Sequence, residues 1–391
     1  MQRKKKNDDC GCNGMKYTAL KDVCEINMGQ SPESSSYNAE GRGIPFFQGN
    51  ADFGERHPVA RVWCDAPTKV ANTNDILISV RAPIGAVNYA TETCCIGRGL
   101  AAITPDLNRV SSDYIFWLLK GKNTELNSKG TGSTFKAINQ KALEEIQVPD
   151  ISFEKQSAYA TNLETAYRVI QMRKQQLSAL DDLIKARFVE MFGDPVSNQK
   201  GWEKKALSDE AEIKIGPFGS LLHKEDYVLG GHALVNPSHI INGQIVPDND
   251  LTVSDAKYYT ELSAYHLMPG DVVMGRRGEM GRCAVVEESG MLCGTGSLLI
   301  RTNGDLSADF IQKIISFPSF KRTIEDMAVG QTMPNLNVPI VSSFQIIKPP
   351  KSIQEQYYAF VAQIDKSKSV IQKSLDETQL LFDSMMQQYF G

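Results

Sequence analysis

An arginine on a turn at the end of an apolar run is the first feature of this sequence that could do chemistry. Arg81 ends the segment Asp75-Ile-Leu-Ile-Ser-Val-Arg81 and precedes Pro83 and Gly85. Arg276 and Arg277 end Asp271-Val-Val-Met-Gly-Arg-Arg277 and precede Gly278 and Gly281, with Arg282 just beyond. A guanidinium held this way can make two parallel hydrogen bonds to guanine or to a phosphate. A surface ion pair is the alternative for either arginine alone, and the same placement twice favours binding. The loop Lys129-Gly-Thr-Gly-Ser-Thr-Phe-Lys136 adds small residues, the hydroxyls of Ser133 and Thr134, and Lys136, a composition that offers backbone N–H groups to a phosphate. Its counterpart Val329-Gly-Gln-Thr-Met-Pro334 keeps a glycine, Gln331 and Thr332 but no lysine, and either loop alone also reads as a structural turn. Gly216-Pro-Phe-Gly-Ser220 carries a basic tail, His223 and Lys224; the comparable stretch nearer the N-terminus is Gly29-Gln-Ser-Pro32 with Tyr37, then Pro45-Phe-Phe-Gln48. Tyr37 and Gln48 are candidates to pack on or read bases, whereas Phe46 and Phe47 suit a core.

Catalytic chemistry finds no such support. No GxxxxGK[ST] loop and no strand–GxGxxG–helix segment occurs, which removes the sequence basis for nucleotide hydrolysis and dinucleotide binding. Asn236-Pro-Ser-His239 lacks the second proline and the aromatic of an adenine-methylating motif and reads as a turn. The eight cysteines include no CxxC pair and the five histidines never fall at metal-ligand spacing with them, so the thiols read as reduced and a zinc site is not expected.

The elements that must position these residues are duplicated. The segment from Asp75 recurs at Asp271, 196 residues on, and Tyr114-Ile-Phe-Trp faces Phe310-Ile-Gln-Lys at the same offset. Gly132 and Asn139 face Gly330 and Asn337 at 198; Val148-Pro149 and Gln156 face Lys348-Pro349 and Gln356 at 200. Both copies close on Phe-Gly, at 192–193 and 390–391. Two copies of one unit result. In each, apolar runs at 76–80 and 86–90, and at 272–274 and 284–286, predict strands, and short helices are expected over 113–120 and 309–316. A seven-residue period then begins: Leu163, Ile170, Leu177, Ile184 and Met191 in the first copy; Ile364 and Ile371, then Leu375, Thr378, Phe382, Met385 and Tyr389 in the second. This is a coiled-coil seam, weakened by Thr378 and by charges, so each helix needs a partner, and the other copy is the obvious one. Leu163 to Met191 rises about 42 Å at ~1.5 Å per residue. The expected fold is α+β: a tail over 1–14, mixed β-rich heads over 15–150 and 196–350, and helical spacers over 151–195 and 351–391 paired antiparallel in a pseudo-twofold repeat. The tail reads as disordered or as an extended translation start, a basic arm being the alternative.

Length and charge bound the function. The 391 residues suffice for two to four domains, at ~100–200 residues each. No apolar run approaches the ~18 residues of a membrane span, so a cytoplasmic address is expected. A net charge of −4 counts against a protein that holds nucleic acid unaided.

Taken together, Gly29-Gln-Ser-Pro, Pro45-Phe-Phe-Gln-Gly-Asn-Ala-Asp-Phe, Asp75-Ile-Leu-Ile-Ser-Val-Arg-Ala-Pro-Ile-Gly, Cys95-Ile-Gly-Arg-Gly-Leu, Gly132-Ser-Thr-Phe-Lys-Ala-Ile, Phe188-Val-Glu-Met-Phe-Gly-Asp, Gly216-Pro-Phe-Gly-Ser and Gly270-Asp-Val-Val resemble the specificity (S) subunit of type I restriction–modification systems, from Met15 to Gly391. The resemblance implies two target-recognition domains, each reading one half of a bipartite, asymmetric sequence in double-stranded DNA. Arg98 then joins Arg81, Lys136, Arg276, Arg277 and Arg282 among the candidate contacts. It also implies an antiparallel helical spacer that docks two methyltransferase (M) subunits, with restriction (R) subunits as further partners. The chain itself would be non-catalytic and hold no cofactor; S-adenosylmethionine, ATP and Mg²⁺ would belong to those partners. The competing reading is a coiled-coil scaffold without DNA selectivity, which the near-neutral charge favours.

Overall fold

The computed structural model describes residues 16–131, 136–328 and 335–391. The 1–14 segment and the candidates Ser133, Thr134, Gln331 and Thr332 lie outside the described residues. Two compact units emerge, Met1–Gln176 with Ile371–Gly391, and Leu177–Val370.

In the first unit the principal strands are β1 (Cys24–Met28), β2 (Ile44–Phe47), β3 (Ile76–Ser79), β4 (Val87–Tyr89), β5 (Cys94–Ile96) and β6 (Leu100–Pro105), followed by α1 (Ser112–Gly121) and the forty-residue α2 (Phe153–Phe192). A four-stranded antiparallel sheet runs β1-β6-β3-β4. A five-stranded sheet holds the parallel pair β2 and β5 among the short strands Tyr37–Asn38, Trp63–Cys64 and Val70–Ala71. Phe47, Leu77, Ile96, Leu100 and Ala102, drawn from both sheets, form one buried cluster. Every residue of β3 is buried. The Asp75 carboxylate that opens this strand is buried too, accepting bonds from Asn72 N–H and the Thr104 hydroxyl, both at 2.7 Å. Burial raises its pKa, and those two donors oppose the rise.

The second unit repeats this order with β7 (Ala211–Ile215), β8 (His232–Val235), β9 (Asp271–Gly275), β10 (Cys283–Val285), β11 (Met291–Cys293), β12 (Ser297–Thr302), α3 (Ala308–Ile315) and α4 (Lys351–Phe390). Its four-stranded sheet runs β7-β12-β9-β10, and the parallel pair is β8 and β11. Along β9, Val272 and Met274 join the cluster containing α3 and the long helices, while Val273 joins the cluster containing Val235 and Cys293 of the other sheet. Covered on both faces, such a strand reads as a continuous apolar run rather than an alternating one. Asp271, placed like Asp75, is held by a two-pronged Arg301 contact at 2.8 and 2.7 Å. A hairpin of Ile240–Ile241 with Gln244–Ile245 turns at Asn242 and Gly243, both at positive φ.

One register of the repeat shifts. Buried Gln156 accepts from Ser111 N–H at 2.8 Å and donates to the Ile151 carbonyl at 3.1 Å. Its counterpart is Gln354, not Gln356: Gln354 accepts from Ser307 N–H at 3.3 Å and donates to the Pro349 carbonyl at 3.0 Å. The offset is therefore 198 here. The prolines at 149 and 349 matched by residue type, whereas the buried amide decides the alignment.

The long helices pair antiparallel within each unit. In the first, Tyr159 stacks on Tyr389 at 3.7 Å between ring centroids. Trp117 of α1 meets Tyr167 of α2 at 5.4 Å and Phe382 of α4 at 5.6 Å. The Arg56 guanidinium lies 4.2 Å from the Phe116 ring centre and 2.5 Å from Glu164 of α2. In the second unit Lys368 pairs with Asp181 at 2.6 Å, and Phe188 and Phe192 meet Phe310 and Tyr357. Leu163, Ile170, Ile184, Leu375 and Phe382 are buried as the seven-residue period requires. Leu177, Ile364 and Ile371 are only half-buried, so the seam is closed less by aliphatic heptad positions than by aromatics that the heads supply. Thr378 is tolerated because its hydroxyl donates to the Ser374 carbonyl at 2.7 Å.

Two outcomes follow for stability. Phe382→Ala removes a buried ring from a unit whose head lies more than two hundred residues earlier, at an expected cost of about 3–5 kcal/mol. Hydrogen exchange should show lost protection over Tyr114–Leu119 and retained protection over Phe310–Ile315; equal protection in both segments would refute the shared core. Gln354→Leu strands the Ser307 N–H and two carbonyls, and a urea melt should register a loss of about 1–3 kcal/mol.

Candidate nucleic-acid interface

Three chain segments meet at one end of each four-stranded sheet, tied through their backbones. In the first unit Val80 N–H donates to the Gly99 carbonyl and Val80 C=O accepts from Ile138 N–H, both at 2.9 Å. Ala82 N–H donates to the Lys136 carbonyl at 3.1 Å, and Arg81 bridges to Ala137. Gly29 N–H donates to the Leu100 carbonyl at 2.9 Å. A Cβ on Gly29 would lie 2.2 Å from the Gly97 carbonyl oxygen, so only glycine lets the two segments approach.

Among the described residues the second unit reproduces these ties apart from that of Ala82 to Lys136. Arg276 N–H donates to the Gly296 carbonyl at 3.0 Å, Arg276 C=O accepts from Leu336 N–H at 2.9 Å, and Arg277 bridges to Asn335. Gly216 N–H donates to the Ser297 carbonyl at 3.1 Å, and a Cβ there would meet the Gly294 oxygen at 2.0 Å. Arg81 and Arg277 thus occupy one structural position. By the same bonds Gly97-Arg98-Gly99-Leu100 corresponds to Gly294-Thr295-Gly296-Ser297, and Ser31 to Phe218.

With the backbone donors and acceptors satisfied internally, the side chains are what remain for a ligand. Arg81, Arg98, Lys136, His223, Lys224 and Arg277 are exposed. Among the described residues none of them takes part in an ion pair. Gln48 is exposed beside Gly99, whose Cβ would lie 2.2 Å from the Gln48 carbonyl oxygen. Lys129, the other lysine of its loop, is engaged by Glu125 at 2.6 Å.

Three candidates are engaged within the fold. Tyr37 is half-buried, its ring 4.7 Å from Phe46 and its hydroxyl donating to the Pro32 carbonyl at 2.9 Å. Burial raises the phenol's pKa, with Ser31 and Arg98 pulling it back. Arg276 donates to Asn335 Oδ1 at 3.0 Å, and burial, then the like charge of Arg277, lowers its pKa. Arg282 is held by Glu279 at 2.5 Å and by the Pro237 carbonyl at 3.1 Å. Each of these partners is remote in sequence or set by a turn, which residue type alone does not disclose. Sequence reasoning also passed over Ser31, Thr295 and Phe218 as individual side chains. The glycines beside them, Gly29, Gly216 and Gly294, were the available signal.

The likeness to known proteins agrees with this arrangement. The family model described as the type I restriction modification DNA specificity domain matches residues 13–181. A specificity subunit of Methanocaldococcus jannaschii, that of type I restriction enzyme MjaX, is 42% identical over 157 residues, spanning 40% of this chain and 37% of that one. The MjaIX specificity subunit of the same organism is 24% identical over 375 residues, covering 88% of this chain and 84% of the relative. In fold, the chain is similar to the crystal structure of a type I restriction–modification S subunit from M. genitalium, at TM-score 0.58 and 15% identity over 97% of both chains. No helix among the described residues is long and apolar enough to cross a membrane. The chain is thus similar to type I restriction–modification specificity subunits, to the family model over residues 13–181 and to the MjaIX relative over 88% of its length.

Proposed function

We propose that this chain is the non-catalytic DNA-reading subunit of a type I restriction–modification complex, each head taking one half of a bipartite, asymmetric target. The observation that carries the reading is the exposed arginine, in no ion pair among the described residues, on the same backbone-bridged turn of both units, Arg81 and Arg277. Guanidinium groups so placed suit guanine edges or phosphates. Their neighbours differ, Arg98 against Thr295 and Ser31 against Phe218, which suits two unlike half-sites. The two long helices, contributing to both units, couple the half-sites and set their separation in this reading.

The net charge of −4 fits a chain that shares phosphate neutralisation with partners. Those partners are two methyltransferase subunits docked on the helices, with restriction subunits beyond them. S-adenosylmethionine, ATP and Mg²⁺ belong to the partners, and the assembly is cytoplasmic.

Co-expression with the neighbouring methyltransferase subunit, followed by mapping of methyladenine across the host DNA, tests the proposal. A single split motif, gained with this chain and lost without it, is the expected result. Arg81→Ala should relax one half of the motif and Arg277→Ala the other, each at about 1–3 kcal/mol of discrimination. A stable complex that methylates without sequence preference would favour a protein scaffold instead.

A further inference from the structure

The second head carries an aromatic ring where the first has a hydroxyl. Phe218 is 60% exposed at the tip of Gly216-Pro-Phe-Gly. Gly216 is wedged against Gly294, Pro217 is buried, and Phe218 itself is extended at φ −147° and ψ 168°. Gly219 follows at φ +64° and turns the chain back. Leu221 and Leu222 then pack against the buried cluster of Leu234, Val253, Tyr258, Leu262 and Leu292. The fold buries Gly216 and Pro217, half-buries Leu221 and Leu222, and leaves the largest side chain of the turn in water.

The surroundings identify what covers it. The backbone bonds that join Gly216 to Ser297 and Gly296 to Arg276 set this tip beside the turn bearing Arg277. His223 and Lys224, both exposed, follow on the same segment. A neutral ring amid exposed cations matches a nucleic-acid surface, on which cations take the phosphates and aromatic faces take the bases. At the matching place in the first head, the Ser31 hydroxyl accepts from Arg98 N–H at 3.3 Å. The first head therefore presents a hydroxyl and a cation, and the second a ring and the hydroxyl of Thr295.

We infer that Phe218 is a stacking wedge, pressed against or between the bases of the half-site addressed by Arg277. The inference rests on the DNA-reading function proposed above. Its test uses the complex of the full chain with its methyltransferase subunit, on duplexes carrying the mapped motif. Phe218→Ala removes an exposed ring and no charge. It should weaken binding about tenfold, within the range for one stacked base, and leave the salt dependence of the affinity unchanged. Lys224→Ala, by contrast, should reduce the slope of log K against log salt by about one. Phe218→Trp should retain affinity, and its added emission should be quenched by a duplex holding the second half-site but not by one holding the first alone. Wild-type affinity and an unchanged methylation map for Phe218→Ala would overturn the wedge while leaving the DNA-reading function standing. Loss of the methyltransferase subunit from Phe218→Ala would overturn it too, by showing that the ring packs on protein. A wild-type complex with no sequence preference would overturn both.

Discussion

The structure depends on a helix stripe too weak to close by itself. Leu177, Ile364 and Ile371 fall at seam positions yet remain half-buried, and Leu380, Leu381 and Val370 point into solvent. Two strands of that composition gain too little from their own contact to hold one register. The heads supply the missing apolar surface: Trp117 meets both long helices in the first unit, and Phe310 meets Phe188 and Phe192 in the second. The consequence is a division of labour that cuts across chain order. The first head needs the last residues of the chain, and the second needs the end of the first long helix. Neither half of the sequence contains a complete unit.

A second constraint operates at the sheet ends. The turn at Val80–Arg81 and the one at Arg276–Arg277 spend their backbone polar groups on neighbouring loops, and Gly29 and Gly216 permit approaches that a side chain would forbid. Rigid backbone with exposed side chains is an arrangement in which a reading residue can change without disturbing the fold. Arg98 against Thr295 and Ser31 against Phe218 illustrate such changes on one platform. Under the proposed function, that separation between support and contact lets one duplicated architecture address two unlike half-sites.

Much of this was legible residue by residue. The duplication, the strands at 76–80 and 272–274, the short helices and the long seam all rest on local pattern: continuous apolar runs, a seven-residue period, and landmarks recurring near 196–198. The exposure of Arg81 and Arg277 was legible for the same reason, since each follows a strand end and precedes a glycine turn. Residue type did not disclose which candidates the fold itself engages. Tyr37 is claimed by Phe46 and Pro32, Arg276 by Asn335 and Arg282 by Glu279 and Pro237. The Pro149 and Pro349 match misplaced the repeat by two residues because residue type cannot reveal which glutamine is buried.

Order along the chain was thus enough for the internal repeat, the element types and the helical period, because each is a property of neighbours or of spacing. Which arginines are free, which aromatic is left in water, and which helix halves complete which head needed the folded chain. Those depend on contacts between residues far apart in sequence, where burial and a single hydrogen-bond partner convert a candidate contact into a structural member or leave it open to a ligand.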